Sequence, residues 1–306
     1  MKNKKTKNNR TIIITEAEAE NYDAMLSRID APVAVEEVSG RLLNMDISDA
    51  LPLLPGEFVD LCFVDPPYNM NKTFNATAFK RRAEEEYAVW MESWLEPLSR
   101  LLKKNASIYV CSDWKSSAAA QRALEKFFIV RNRITWEREK GRGAKNNWKN
   151  CHEDIWFCTV GEEYFFDVDA VKVKRRTLAP YTENGAPKDW TEDGEGKFRL
   201  THPSNLWNDL TVPFWSMPEN TCHPTQKPEK MLAKIILASS KPGAMVFDPF
   251  FGSGTTAVAA KKLGRNFCGV ELDAGFARLA AKRLEMAESD TRIQGFEGGV
   301  FKERNS

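Results

Sequence analysis

At 306 residues the chain can form one large α/β domain with an inserted module or two small domains, and 42% hydrophobic with 28% charged residues argues against wholesale disorder. A net charge of +1 excludes a globally basic surface, so any face for a polyanion must be local. No apolar run reaches a membrane span, and Ile12-Ile13-Ile14 is too short for a signal-peptide core, so a cytoplasmic protein with no membrane partner is expected.

Residues 1–14 read as a basic, solvated tail. Thr15 with Glu18 predicts a capping box opening a helix through about Ile29. Val59–Val64 reads as a buried strand that stops at Asp65-Pro66-Pro67-Tyr68. A polar, basic loop around 69–82 precedes a helix from Tyr87 to Leu102, with Trp90, Trp94, Leu98 and Leu101 on one side. Ser107–Ser112 is the next strand, followed by a helix from about Trp114 to Lys126 and a strand over Phe127–Trp136. Asp154–Val160 reads as a strand that can return antiparallel to the last one across the polar loop 139–150. From 171 to 220 the periodicity dissolves, which marks a functional insert, and Trp190, Trp207 and Trp215 favour an ordered one.

Regular structure resumes with a helix over Lys227–Ser239, a short strand at Met245–Phe247, and a helix over Thr255–Leu263 closed by Gly264. A strand at Phe267–Glu271 and a helix capped by Asp273 complete the pattern. Strands alternating with helices imply a doubly wound, mostly parallel Rossmann-like α/β sheet with an antiparallel edge hairpin. The organisation expected is a catalytic half over 15–170, an insert over 171–220, a second half of the same domain over 221–290 and a tail over 291–306.

Strand, glycine turn and helix follow one another through Asp248, Pro249, Phe250, Gly252, Ser253, Gly254, Thr255 and Thr256. Glycines let backbone approach a ligand closely, and the amides at the helix start favour polar or anionic groups. Glu271 ends the next strand, where a carboxylate can accept both hydroxyls of a ribose. The same glycines fit a dinucleotide fingerprint, but Asp248-Pro249 stands where that fingerprint wants its first glycine, and no nicotinamide-type second half follows.

The corner Asp65-Pro66-Pro67-Tyr68 lies after a strand, at the sheet edge where open α/β folds bind ligands. An amine on an aromatic ring is a poor nucleophile because its lone pair is delocalised. The Asp65 carboxylate and the Pro66 carbonyl are suited to accept its hydrogens and draw it toward sp³ geometry, and Tyr68 offers a flat face for a base. The six cysteines are scattered without zinc spacing, so buried thiols and no metal are expected. Basic residues crowd two stretches, Arg138, Lys140, Arg142, Lys145 and Lys149 with Trp136 and Trp148 interleaved, and Lys174, Arg175 and Arg176. Either cluster suits phosphates or is an ordinary solvated surface.

The corner Asp65–Tyr68 and the turn Asp248–Thr256 resemble the catalytic and cofactor motifs of amino-group DNA methyltransferases. Their order, with His223-Pro224-Thr225-Gln226-Lys227-Pro228 before the second, is similar to the permuted β class, and His152–Phe157, Tyr164–Asp167 and Pro203–Trp207 also look familial. The resemblance implies S-adenosylmethionine as cofactor, held by Thr225 and Lys227 at its methionine end, by the Asp248–Thr256 turn beneath it, and by Asp46 near its adenine. It implies direct methyl transfer to adenine N6 of a flipped base in DNA, with N4 of cytosine, or an RNA base, as alternatives. Family members more often carry Ser at the position of Asp65 when they act on cytosine, which tilts the reading toward adenine. A homodimer and a restriction endonuclease of a restriction-modification system are the partners implied besides DNA.

Overall fold

The computed structural model describes residues 8–74, 77–138, 145–178, 180–194 and 196–304, and of 72–74 and 77–79 the backbone only. Among these residues the main sheet is built from β1 (Leu26–Ser27), β2 (Arg41–Leu43), β3 (Val59–Val64), β4 (Leu102–Ser112), β5 (Ile129–Glu137), β6 (His152–Thr159), β7 (Leu206–Trp207), β8 (Met245–Asp248) and β9 (Asn266–Val270). Their order is β1-β2-β9-β8-β3-β4-β6-β5-β7. All neighbours are parallel except at β6, which runs against both β4 and β5. The expected doubly wound sheet and its antiparallel hairpin are present, with β7 adding one more strand outside the hairpin.

The strands read as continuous apolar runs because both faces are covered. Alternation sends Leu61 and Phe63 of β3 to one core with Val246 of β8, and Cys62 and Val64 to the other core with Phe247. Helix α1 spans Glu16–Asp23 and α2 spans Glu84–Ser99; α2 buries Met91, Leu95 and Leu98 on one face of the sheet. The short α3 (Ser117–Leu124) joins it there through Ala119, Ala120 and Leu124. On the opposite face α4 (Glu229–Ser239) buries Met231, Leu232, Ile235 and Ile236. Each such side chain, taken from water, contributes about 1.5–3 kcal/mol. The glycine turn leads into α5 (Thr255–Lys262), and α6 (Ala274–Ser289) packs against it through Ala277, Ala280 and Ala281.

Several stretches differ from expectation. Within the expected solvated tail 1–14, the Arg10 and Ile12 amides donate to the Trp215 and Asn220 carbonyls and Ile12 is buried against Phe276 and Leu279, because an apolar side chain there finds a partner on the last helix. The first helix ends at Asp23 rather than near Ile29, because Leu26–Ser27 is taken up as an edge strand beside Leu42–Leu43. The region from 171 to 220, read as irregular, carries short strands of a second sheet. Val173–Arg176 pairs antiparallel with Gly196–Thr201 and parallel with Val300–Lys302, so part of the expected C-terminal tail is structural. Phe301 is fully buried there. Lys234 of α4, itself 2% exposed, forms an ion pair with Asp209 at 2.8 Å, and Lys230 donates to the Asp209 carbonyl at 2.8 Å and to the Lys302 carbonyl. These strands are short and mostly half-buried, so they leave no alternation to read.

Candidate active site

Parallel pairing of β3 with β8 matches Leu61 to Val246 and Cys62 to Phe247. Both strands therefore end level, and the corner after Val64 stands beside the turn after Asp248. A cavity of about 550 Å³ opens there, within the range of small-molecule sites. Asp65, Pro66, Pro67 and Tyr68 line it together with Asp46, Thr225, Lys227, Pro249, Phe250, Gly252 and Glu271. Ser253, Gly254, Thr255, Thr256 and Asp248 are not on its wall; they hold the turn from behind.

The corner is fixed from outside. Tyr87 of α2 donates its hydroxyl to the Pro67 carbonyl at 3.1 Å, and the Asn69 amide clasps both backbone groups of Arg82 at 2.7 and 3.0 Å. Inside the cavity Tyr68 Oη lies 2.9 Å from Asp65 Oδ1 and 2.9 Å from Glu153 Oε2. Lys227 Nζ lies 2.5 Å from Asp65 Oδ2 and 3.5 Å from Glu153 Oε2, and 5.4 Å from the centre of the Tyr68 ring. Arg138 closes the cluster by pairing with Glu153 Oε1.

Burial raises the Asp65 carboxyl above the ordinary range, although Lys227 opposes it. Burial also pushes on Glu153, but there Lys227 and Arg138 together win and hold it below the usual carboxylate range. Burial works against the Lys227 ammonium, and Asp65 and Glu153 more than offset it, so its pKa is raised. Burial and the enclosed cations thus push the two carboxyls in opposite directions, Asp65 upward and Glu153 downward.

The glycine turn needs its glycines. Gly252 has φ +52° and a Cβ there would stand 2.9 Å from His223 Nε2. Gly254 has φ +77° and a Cβ there would stand 2.5 Å from the Ala280 methyl, so α6 can approach only a glycine. Asp248 accepts from Thr256 Oγ1 at 2.5 Å and from the Phe250 amide at 3.0 Å, which staples the turn to α5. Arg283 of α6, 2% exposed, donates to the Ser253 carbonyl at 2.8 Å, to Thr255 Oγ1 at 2.9 Å and to Glu229 at 2.8 Å. Glu271 faces the cavity and accepts from the Gly252 and Asp273 amides at 2.9 and 2.8 Å. Burial, opposed by those amides, pushes its carboxyl up to about 7. Asp46 caps the short helix Ile47–Ala50 through Ser48, which leaves it at the cavity rim.

Of the basic residues, Lys145, Lys149 and Arg176 are exposed, while Lys174 pairs with Asp193 at 2.7 Å and Arg175 is half-buried in the second sheet. Lys140 and Arg142 lie outside the described residues. Arg138 turns inward to Glu153, and Trp136 is buried, so only Trp148, 93% exposed, is an open aromatic of the first cluster. Glu153 and Arg283 are two residues of the site and its support to which sequence reasoning gave no role, although Glu153 falls in the segment 152–157 that looks familial. Glu153 had a signal: a strand that reverses direction brings its first residues to the edge where the parallel strands end. Arg283 had none, since a helix rich in Ala, Lys and Arg reads as solvated.

A family model described as DNA methylase, of the N6/N4 methyltransferase group, matches residues 59–282. The chain is 32% identical over 253 residues to the DNA adenine methyltransferase YhdJ of Escherichia coli (strain K12), covering 80% of this chain and 83% of that protein. It is 34% identical over 255 residues to the Type II methyltransferase M.BglII of Bacillus subtilis, covering 80% and 68%. In fold it is similar to TTHA0409 of Thermus thermophilus complexed with S-adenosyl-L-methionine, with a TM-score of 0.55, 21% identity and 87% and 98% of the two chains covered.

Proposed function

The chain belongs to the DNA methylase family, and from that premise we propose that it transfers a methyl group from S-adenosylmethionine to N6 of an adenine flipped out of DNA. One observation supports this most: Asp65 and Tyr68 share a single cavity with Glu271 and Gly252. The cofactor supplies a methyl group on a positively charged sulfur. The cavity fits such a group, with a carboxylate for hydroxyls at Glu271 and a turn whose Gly252 admits close approach. Thr225 and Lys227 belong to its methionine end and Asp46 to its adenine end in this reading.

The chain's own part is orientation and acceptance of hydrogen. Tyr68 presents its ring to the base, and Asp65 and the Pro66 carbonyl accept the two amino hydrogens, which returns the lone pair to nitrogen. Asp65 must be ionised to accept, and it can hold the proton that the nitrogen sheds after attack. Unstacking the base costs a few kcal/mol, offset by contacts to neighbouring nucleotides. Lys145, Lys149 and Arg176 would hold phosphates, together with Lys140 and Arg142, and the second sheet over 171–220 would read the target. Partners in this reading are DNA, a second copy of the chain, and a restriction endonuclease of the same specificity.

Incubation with labelled S-adenosylmethionine and mixed-sequence DNA, followed by nucleoside chromatography, should give N6-methyladenine. N4-methylcytosine would move the reading to the other amino group, and no labelled nucleoside would refute it. The cofactor site carries its own pH signature. Glu271 loses its proton only as pH rises through about 7, and the carboxylate is the better acceptor for hydroxyls. Affinity for S-adenosylmethionine should therefore rise about tenfold between about pH 6 and about pH 8. Calorimetry across that range checks this, and Glu271→Gln should flatten the profile and weaken binding.

A further inference from the structure

Tyr68 stands 2.9 Å from one oxygen of each of two carboxylates, yet a hydroxyl has a single hydrogen to donate. Lys227 is similarly placed between the two, 2.5 Å from Asp65 and 3.5 Å from Glu153. Both oxygens of Asp65 thus face donors from the protein itself. A carboxylate so engaged is a weak acceptor for an incoming amino group. We propose that Glu153 is a positioning residue that takes over the Tyr68 hydroxyl and the Lys227 ammonium when the amino group of the base claims Asp65.

The geometry favours such a handover. Tyr68 needs only a rotation of its hydroxyl hydrogen, because the two oxygens are equally distant. Lys227 needs a shift of about 1 Å to bring its longer contact to the length of its shorter one. Glu153 is ready to receive both, being buried and anchored on its far oxygen by Arg138. The number of charge-assisted bonds is unchanged by the exchange, so the base meets an acceptor already released from its internal partners.

This inference rests on the reading of Asp65 as the acceptor for the base. The test is the isosteric Glu153→Gln, which keeps an acceptor for Tyr68 and removes the charge that attracts Lys227. The turnover number should fall about thirtyfold, while KM for DNA and the affinity for S-adenosylmethionine change less than about threefold. A second readout separates handover from mere packing. Asp65 is faced by Lys227, Glu153, Tyr68, Tyr87, Cys111 and Asp248, and Glu153 is the anion that disfavours its ionisation most directly. Removing that charge should carry the acid limb of the turnover profile to lower pH, because Asp65 then ionises more readily.

Glu153→Asp restores the charge but sets it back by one methylene. It should return the acid limb to the wild-type position and leave turnover depressed. A Glu153→Gln enzyme with turnover within about threefold of wild type would overturn the inference, as would a loss of turnover with the acid limb unmoved in both variants. A wild-type chain that makes no N6-methyladenine would instead refute the underlying assignment of the reaction.

Discussion

Replacing Asp65 with alanine is expected to lower methyl transfer at least about a thousandfold while S-adenosylmethionine affinity stays within about threefold of wild type. A thousandfold is about 4 kcal/mol of barrier, the scale of losing a preorganised acceptor in a water-poor site. The amino lone pair stays conjugated with the ring unless its hydrogens are drawn out of the plane, and Asp65 is the charged acceptor placed for that. Affinity should hold because the carboxylate proposed to accept the cofactor's hydroxyls is Glu271, which follows a different strand. The fold should hold as well, since Lys227 keeps Glu153 at 3.5 Å as a partner. Single-turnover rates and calorimetry on the same preparation check both halves. Transfer within about tenfold of wild type would remove Asp65 from the chemistry.

Replacing Arg283 with alanine is expected to destabilise the protein by about 3–5 kcal/mol, the cost of stripping one partner from a buried ion pair. Arg283 sits at 2% exposure and ties Glu229 of α4 to the Ser253 carbonyl and the Thr255 hydroxyl of the glycine turn. Without it Glu229 retains Lys262 at 2.8 Å, but a second buried carboxylate, Glu219, stands close by. Burial and the charge of Glu229 already push the Glu219 carboxyl well above the ordinary range. Loss of the guanidinium removes a charge that offsets both. Urea unfolding should show a lower midpoint, and the cofactor should bind more weakly because the turn beneath it loses its rear support. A change below about 1 kcal/mol would show that Lys262 alone neutralises the pair.

The motifs were legible in the sequence because each is local. A buried strand that breaks at Asp65-Pro66-Pro67-Tyr68, and another that breaks at Asp248-Pro249 before two glycines, carry their turns in their own residues. Glu271 was legible for the same reason, as the acid that ends a strand. Lys227 was legible as a cavity residue but not as the partner of Asp65, since that contact joins residues from two separate parts of the chain. Ser253, Gly254, Thr255, Thr256 and Asp248 fall in the motif but not among the residues that line the cavity, and periodicity says nothing about which side of a turn faces open space. The second sheet escaped because its strands are short, without a clear alternation of burial, and completed by residues 300–302 from the far end of the chain.

The sequence by itself determined the alternation of strand and helix, the two strand-ending corners and the residue types that bear the chemistry, because those depend on side chains within a few positions of one another. Only the tertiary structure decided that β3 and β8 lie side by side with their ends level, and that the reversed strand β6 delivers Glu153 between Tyr68, Lys227 and Arg138. Strand order is chosen by which apolar faces bury best against α2 and α4, a property of the whole core. The charge state of each carboxylate follows from that burial and from which cations it encloses, so no stretch of chain could announce it in advance.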